Sequence, residues 1–475
     1  MPSYYVDATG GTDGDTGLSP VAAWQTRGHV NGEAFAPGDS ILFKRGETWT
    51  GVQLTITWSG AVGNPITFAD YDAGNKPIID GNDAVNCIAN NGVRGNIVIQ
   101  NIECTQGWDH GISFNGACFN IEVIDCDCHD CGNDNLIFQA GVFDARVTRG
   151  TFYNAYRRVV GPFSSGIEMA DGSHDIVIDG ATCYDNGDIA SNGAGIFIVS
   201  HALTDMPYNI TIQNVSCYGN NSGGIWILKS DATVNADSNI LIQDSILDDN
   251  DEYGIRMVYG GAAVLRGVSV LRCRTANNAT YGTYCKGRDI NFERVVSATV
   301  TAGLGATRFE DCVDPICYNC TFHKGFDAPA GDQEAFRTFG ALMDGLVMRN
   351  CIVSNLVAGS ATMQIVNSVA NFDIDYTLYL QALGNDLVWL GGWKTFANWK
   401  TDTGMDANSP TPADPLYLDT ANNIFHLDHG SPALQVGTPL AGMPFYGAAP
   451  DCGRWEMRWK SQRTERLLSP AWKYA

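Results

Sequence analysis

Residues 208–231 read YNITIQNVSCYGNNSGGIWILKSD. Ile210 and Ile212 alternate with polar residues, and so do Val215 and Cys217, but the two pairs are out of phase across Asn214. Alternation over three or four residues marks a short strand with one buried face, and a break in phase marks a corner between two such strands. GGIWIL (223–228) then supplies a third strand.

The offsets of zero, two, five and seven recur along the chain. They pick out Ile97, Ile99, Ile102 and Cys104, then Ile121, Val123, Cys126 and Cys128, then Ile176, Ile178, Ala181 and Cys183. Later copies are Ile240, Ile242, Ser245 and Leu247, then Ala263, Leu265, Val268 and Val270, then Ile290, Phe292, Val295 and Ser297. The third strand recurs as HGISFN, SGIEMA, AGIFIV and YGIRMV. Three short strands per period of about 23–34 residues predict a solenoid in which each turn completes its neighbour's core.

The corner position is often polar, as at Asn101, Asp125, Asn214, Asp244, Asn319, Asn350 and Asn367. Asn and Asp tolerate left-handed backbone, so these residues read as structural, stacked along one corner. Cys104, Cys128, Cys183 and Cys217 share one inward position and read as a column of small buried groups. The cluster Cys126, Cys128 and Cys131 is not read as a metal site, because two of the three point inward.

The pattern resembles the right-handed parallel β-helix of the pectate-lyase-like superfamily, which includes carbohydrate-active enzymes and phage tailspike-like proteins. YYVDATGGTDGDTG (4–17) and PGDSILFKRGETWTG (37–51) resemble the leading region of bacterial and phage members. NWKTDTGMDANSPTPADPLYLD (398–419) and FHLDHGSPALQVG (425–437) resemble their trailing segment. The resemblance implies an all-β chain: an N-terminal cap over 1–60, about eleven coils over 61–375, and an irregular C-terminal segment over 376–475 that packs on the helix. Trp389, Trp393, Trp399, Trp455, Trp459 and Trp472 make that segment aromatic and are expected to pack on the last coils.

Composition narrows the function. With 29 Lys and Arg against 52 Asp and Glu, the formal charge of −23 argues against nucleic acid, whose binding rests on neutralising phosphates. No apolar run reaches the roughly 20 residues of a membrane span, and MPSYYVDATGG (1–11) lacks the basic start and apolar run of a signal peptide. The expected setting is extracellular or a phage virion, and the expected assembly a monomer or homotrimer.

In the third strand the residue after Gly-Ile points away from the core. Successive coils therefore line up Ser113, Ile137, Glu168, Phe197, Trp226, Arg256 and Tyr284, about 4.8 Å apart. A stripe with Phe197, Trp226 and Tyr284 open to water predicts a sugar-binding groove, since the C–H faces of a sugar pack on aromatic rings. Loops at 153–165, 184–194, 200–208 and 229–238 would wall it, bringing His201, Lys229, Asp231 and Glu252 to a polysaccharide or oligosaccharide.

Glycoside hydrolysis needs one protonated and one ionised carboxyl. Glu168, on the outward row, is the first choice, with Asp188 or Asp171 as partner; His110, beside Asp109, and His201 are further acid–base candidates. A polysaccharide lyase acting on a uronate would instead use cations such as Lys229 and Arg256, with Tyr284 and Lys286. A tailspike-like protein that binds glycan without cleaving it is the third reading. No cofactor is expected, except that Asp13 and Asp15 form a candidate calcium loop.

Overall fold

The computed structural model describes residues 1–155, 163–187, 192–201, 205–230, 238–260, 264–300, 304–325, 334–357, 360–366, 371–381, 387–390 and 392–454. They fall into two compact units, 1–291 and 292–475. Of the residues singled out above, Asp188, Asp231, Ala263, Asn367, Trp455, Trp459 and Trp472 lie outside the described residues.

In the first unit the opening stretch folds as read: strands Tyr208–Gln213, Ser216–Tyr218 and Gly223–Lys229 lie in three different sheets. In this unit their neighbours pair in parallel, in register, one coil away. Ile176 pairs with Ile210 and Ile210 with Ile240; Cys183 pairs with Cys217; Ile196 pairs with Ile225 and Ile225 with Ile255. This is a parallel β-helix, right-handed as connections between parallel strands are. Residues 1–60 contribute Ser3–Val6 and Ser40–Lys44, which pair with each other and then with Ile66–Tyr71 in the first sheet. There Asp13 accepts from the backbone of Gln25 and Thr26 and from the Thr26 hydroxyl.

Ile210, Ile212, Cys217, Ile225 and Ile227 are fully buried, and Val215 nearly so. Cys104 pairs with Cys128 and Cys183 with Cys217, with Phe152 completing the column between them. All 15 cysteines are buried free thiols. Outside the second sheet, His129, Tyr153, Tyr184 and Tyr218 stack with ring centroids 4.6 to 5.2 Å apart.

The predicted corner residues Asn101, Asp125, Asn214 and Asp244 do adopt left-handed backbone, with φ between 49° and 56°. Their side chains do not form one continuous ladder: Asn101 reaches Asp70, and Asn214 reaches Asp179. The amide ladder runs inside another corner. There Asn186 donates to Asn220, Asn220 to Asn250 and Asn250 to Asn278, each at 2.9 Å, and all four are buried.

One coil is phased differently from the reading above. Ile240 pairs with Val268 and Ile242 with Val270, so the unit starts at Val268, not Ala263, and continues through Cys273 and Thr275. Leu265, Val268 and Val270 mimic the pattern five residues early, which is why spacing alone chose the wrong copy.

The second unit has the same three-sheet plan, with strands such as Gly305–Glu310, Ile316–Tyr318 and Thr321–Lys324 pairing in parallel with those of the following coil. Asn319 and Asn350 again adopt left-handed backbone at its corner. Helix Phe396–Thr403 buries Trp399, whose indole N–H donates to Asp406 at 2.7 Å, whereas Trp393 is about half exposed. A hairpin of Tyr417–Asp419 and Ile424–Leu427 packs Leu427 with Ala433 and Cys452 against Ile352 and Leu378. Among the described residues, no helix is long and apolar enough to cross a membrane.

The ladder predicts a specific weakness. Asn220→Ala removes the acceptor of Asn186 and the donor to Asn250 in a dry interior, so it should lower stability by roughly 2–4 kcal/mol. A urea midpoint unchanged from the native chain would show that the ladder contributes little.

Candidate active site

The outward row forms as predicted. Ser113, Ile137, Glu168, Phe197, Trp226, Arg256 and Tyr284 pair one after another across the third sheet. Its exposure differs from expectation. Phe197 is fully buried and Trp226 is 5% exposed, in an apolar cluster with Ala170, Ala194 and Val199 and with Phe163 packed against both rings. The Arg256 guanidinium lies 4.4 Å from the Trp226 ring centroid and 4.9 Å from that of Tyr253. Large outward rings at adjacent coils bury one another more readily than they stay in water, so no open aromatic stripe results.

The other expected groove residues take separate places. Lys229 shares the inward parity of Ile225 and Ile227; it is fully buried, and its amine donates to the Val264 carbonyl at 3.2 Å. It does not face the row, because alternation sends it to the opposite side from Trp226 and Leu228. Glu252 is half-buried and sits 3.6 Å from Arg256, while Tyr284 packs beside Tyr253 at 5.6 Å.

The cavity lies at the other end of the row, around Glu168. It encloses about 230 Å³, with Ile137 and Glu168 at its floor. Asp109, His110 and Asn133 reach it from the segments before their third-sheet strands; Gln139 and His201 reach it from the far ends of theirs. Phe163 links it to the aromatic cluster. Successive coils thus deliver side chains from both ends of parallel strands into one pocket.

Two histidines organise the acids. His201 Nδ1 lies 3.1 Å from Asp171, whose carboxylate also accepts from the His201 backbone and from Gln139, while His201 Nε2 faces Glu168 at 4.0 Å. Asp171 therefore braces His201 and does not line the cavity. On the other side, His110 Nε2 lies 3.2 Å from Asp109 and Nδ1 lies 3.5 Å from Asp134. Asp134 is wholly buried and accepts from the Ser165 backbone N–H at 2.9 Å.

These surroundings push the acids apart. Burial raises the Glu168 carboxyl well above the usual glutamate range, and the negative charges of Asp134, Asp171 and Asp109 add to it. Asp109, more exposed, is lowered by its hydrogen bond with His110. Burial also raises Asp134, to about 6. Burial disfavours the charged form of His110, but Asp109 and Asp134 outweigh it and the net shift is upward. The hydrogen bond to Asp171 raises His201. One cavity thus faces a carboxyl shifted toward its neutral form and one shifted toward its ionised form, the difference that can separate an acid from a base.

Spacing identified Glu168 and His201 and placed His110 beside Asp109, but it passed over Asp134. The signal was present: Asn86, His110, Asp134 and Ser165 each lie two residues before the first inward residue of the third strand, so they form one polar column.

A buried acid of this kind costs stability where it must ionise. The raised Glu168 carboxyl is neutral in both folded and unfolded chains at low pH; above the unfolded value of about 4.3 the unfolded chain ionises first and stability falls. Glu168→Gln should therefore stabilise the protein, with little gain near pH 4 and a growing gain toward pH 7. Thermal melts of both proteins across that range check it, and a constant difference would contradict it.

No protein-family model matches the chain, and no curated protein sequence matches it. Among solved structures it is similar to the pectate lyase Pel9A at 15% identity, covering 96% of this chain and 97% of that chain with a TM-score of 0.48. It is similar to a rhamnogalacturonan lyase at 13% identity, covering 79% and 87% with a TM-score of 0.45. It is also similar to an alginate lyase from Paenibacillus sp. str. FPU-7 at 14% identity, covering 66% and 96% with a TM-score of 0.43. Each of these is a likeness of fold.

Proposed function

We propose that the protein is a carbohydrate-active enzyme, a glycoside hydrolase in which Glu168 is the general acid and Asp109 the general base. The observation that carries this reading is one cavity lined by a buried carboxyl, Glu168, and by a more exposed one, Asp109, that is hydrogen-bonded to His110, environments that shift the two in opposite directions. Glu168 gives its proton to the leaving glycosidic oxygen. Asp109 takes a proton from the water that attacks the anomeric carbon, and exchange with solvent then restores both groups. The negative surroundings of Asp134 and Asp171 suit the positive charge that develops on the sugar ring.

Asp109 enters two coils before Glu168, an axial backbone offset of about 9–10 Å. Two carboxyls that approach from separate coils with a cavity between them suit an inverting arrangement, which keeps room for a water between acid and base. The cavity is smaller than the roughly 300–1,000 Å³ of sites that enclose a whole drug-sized ligand, which suits one unit of a longer chain. A lyase has less support: Lys229 turns inward, and Arg256 sits three coils from Glu168 against Trp226.

Incubation with a panel of neutral and uronate polysaccharides should release reducing ends of inverted configuration without unsaturated products. Glu168→Gln and Asp109→Asn should each lose about 10²–10⁴-fold of that activity. Full activity in both variants, or an unsaturated uronate as product, would overturn the assignment.

A further inference from the structure

We propose that Asp134 is a positioning residue of this site: it holds His110 charged against Asp109 and itself opposes the ionisation of Glu168. The inference rests on the acid–base reading above and extends it to a carboxylate that touches no substrate.

The geometry is that of a relay laid along the coils. Asp134 is fully buried, and its Oδ1 is committed to the Ser165 backbone N–H at 2.9 Å. Its Oδ2 makes no hydrogen bond, and neither does His110 Nδ1, which faces it at 3.5 Å. The opposite ring nitrogen of His110, Nε2, points to Asp109 Oδ2 at 3.2 Å. The His110 backbone is fixed from the preceding coil, where the Asn86 side chain accepts from both the Asp109 and His110 N–H groups, at 3.2 and 3.0 Å. The imidazole therefore stands between a buried carboxylate and a cavity carboxylate. Holding a proton on each nitrogen satisfies both at once.

A buried carboxylate with one idle oxygen is costly unless a cation answers it. Here the cation is His110, whose charge in turn favours the ionised form of Asp109. The same negative charge on Asp134 works in the opposite sense on Glu168, whose ionisation it opposes. Among the described residues, the titratable groups within reach of the Asp134–His110 pair are Asp109, Glu168 and His201; Asn86 and Ser165, which also pack there, are neutral. Removing the Asp134 charge should therefore let His110 titrate at lower pH and move Glu168 down, narrowing the working pH window from its alkaline side.

Asp134→Asn keeps the shape and an oxygen for the Ser165 N–H, so it isolates the charge. The His110 ring, followed by NMR and assigned with His110→Gln, should titrate at lower pH in Asp134→Asn than in the native chain. Where a hydrolysed glycan is in hand, the alkaline limb of the pH–rate profile should move to lower pH. An unmoved His110 titration, or a rate lowered equally at all pH values with both limbs in place, would overturn the proposal. The titration needs no substrate, so a failure to find hydrolysis would fall on the function proposed above and leave this coupling to be decided by NMR.

Discussion

Every feature of this chain depends on the in-register stacking of short parallel strands about 4.8 Å apart. Once Ile210 must sit on Ile240 and Ile176, each neighbouring position also meets its own counterpart. A column is therefore homogeneous or explicitly matched: cysteines around Phe152, stacked Tyr153, Tyr184 and Tyr218, and amide upon amide from Asn186 to Asn278. The same rule builds the site, because side chains several tens of residues apart in sequence become neighbours when their coils stack.

This is why so much of the fold can be read from spacing. The inward columns, the left-handed corners and the outward row through Glu168 and Trp226 follow from a repeat that strand geometry imposes. Spacing fails where the pattern overlaps itself, as at Leu265, Val268 and Val270. It fails also where exposure depends on neighbours: Phe197 and Trp226 point outward as alternation requires, yet they bury each other with Phe163 and Arg256. The amide ladder was within reach, since Asn186, Asn220, Asn250 and Asn278 each lie ten residues after Ile176, Ile210, Ile240 and Val268. A constant offset from the core column was the cue, and residue type at the corner drew attention elsewhere.

The candidate site was only half legible for a physical reason. Sequence shows that Glu168 replaces an apolar residue on a row that continues into Phe197 and Trp226, which is enough to suspect it. What makes it an acid is its burial and the company of Asp134, Asp171 and Asp109, and these follow from the fold.

The central claim is that Glu168 is uncharged at neutral pH while Asp109 is ionised. Carbon-13 NMR of the side-chain carboxyls, with Glu168 and Asp109 assigned by substitution to Gln and Asn, follows each group directly through a pH titration. The account predicts that the Glu168 signal titrates well above the ordinary glutamate range and the Asp109 signal below the ordinary aspartate range. Two carboxyls titrating together near pH 4 would contradict it and leave the cavity without an acid.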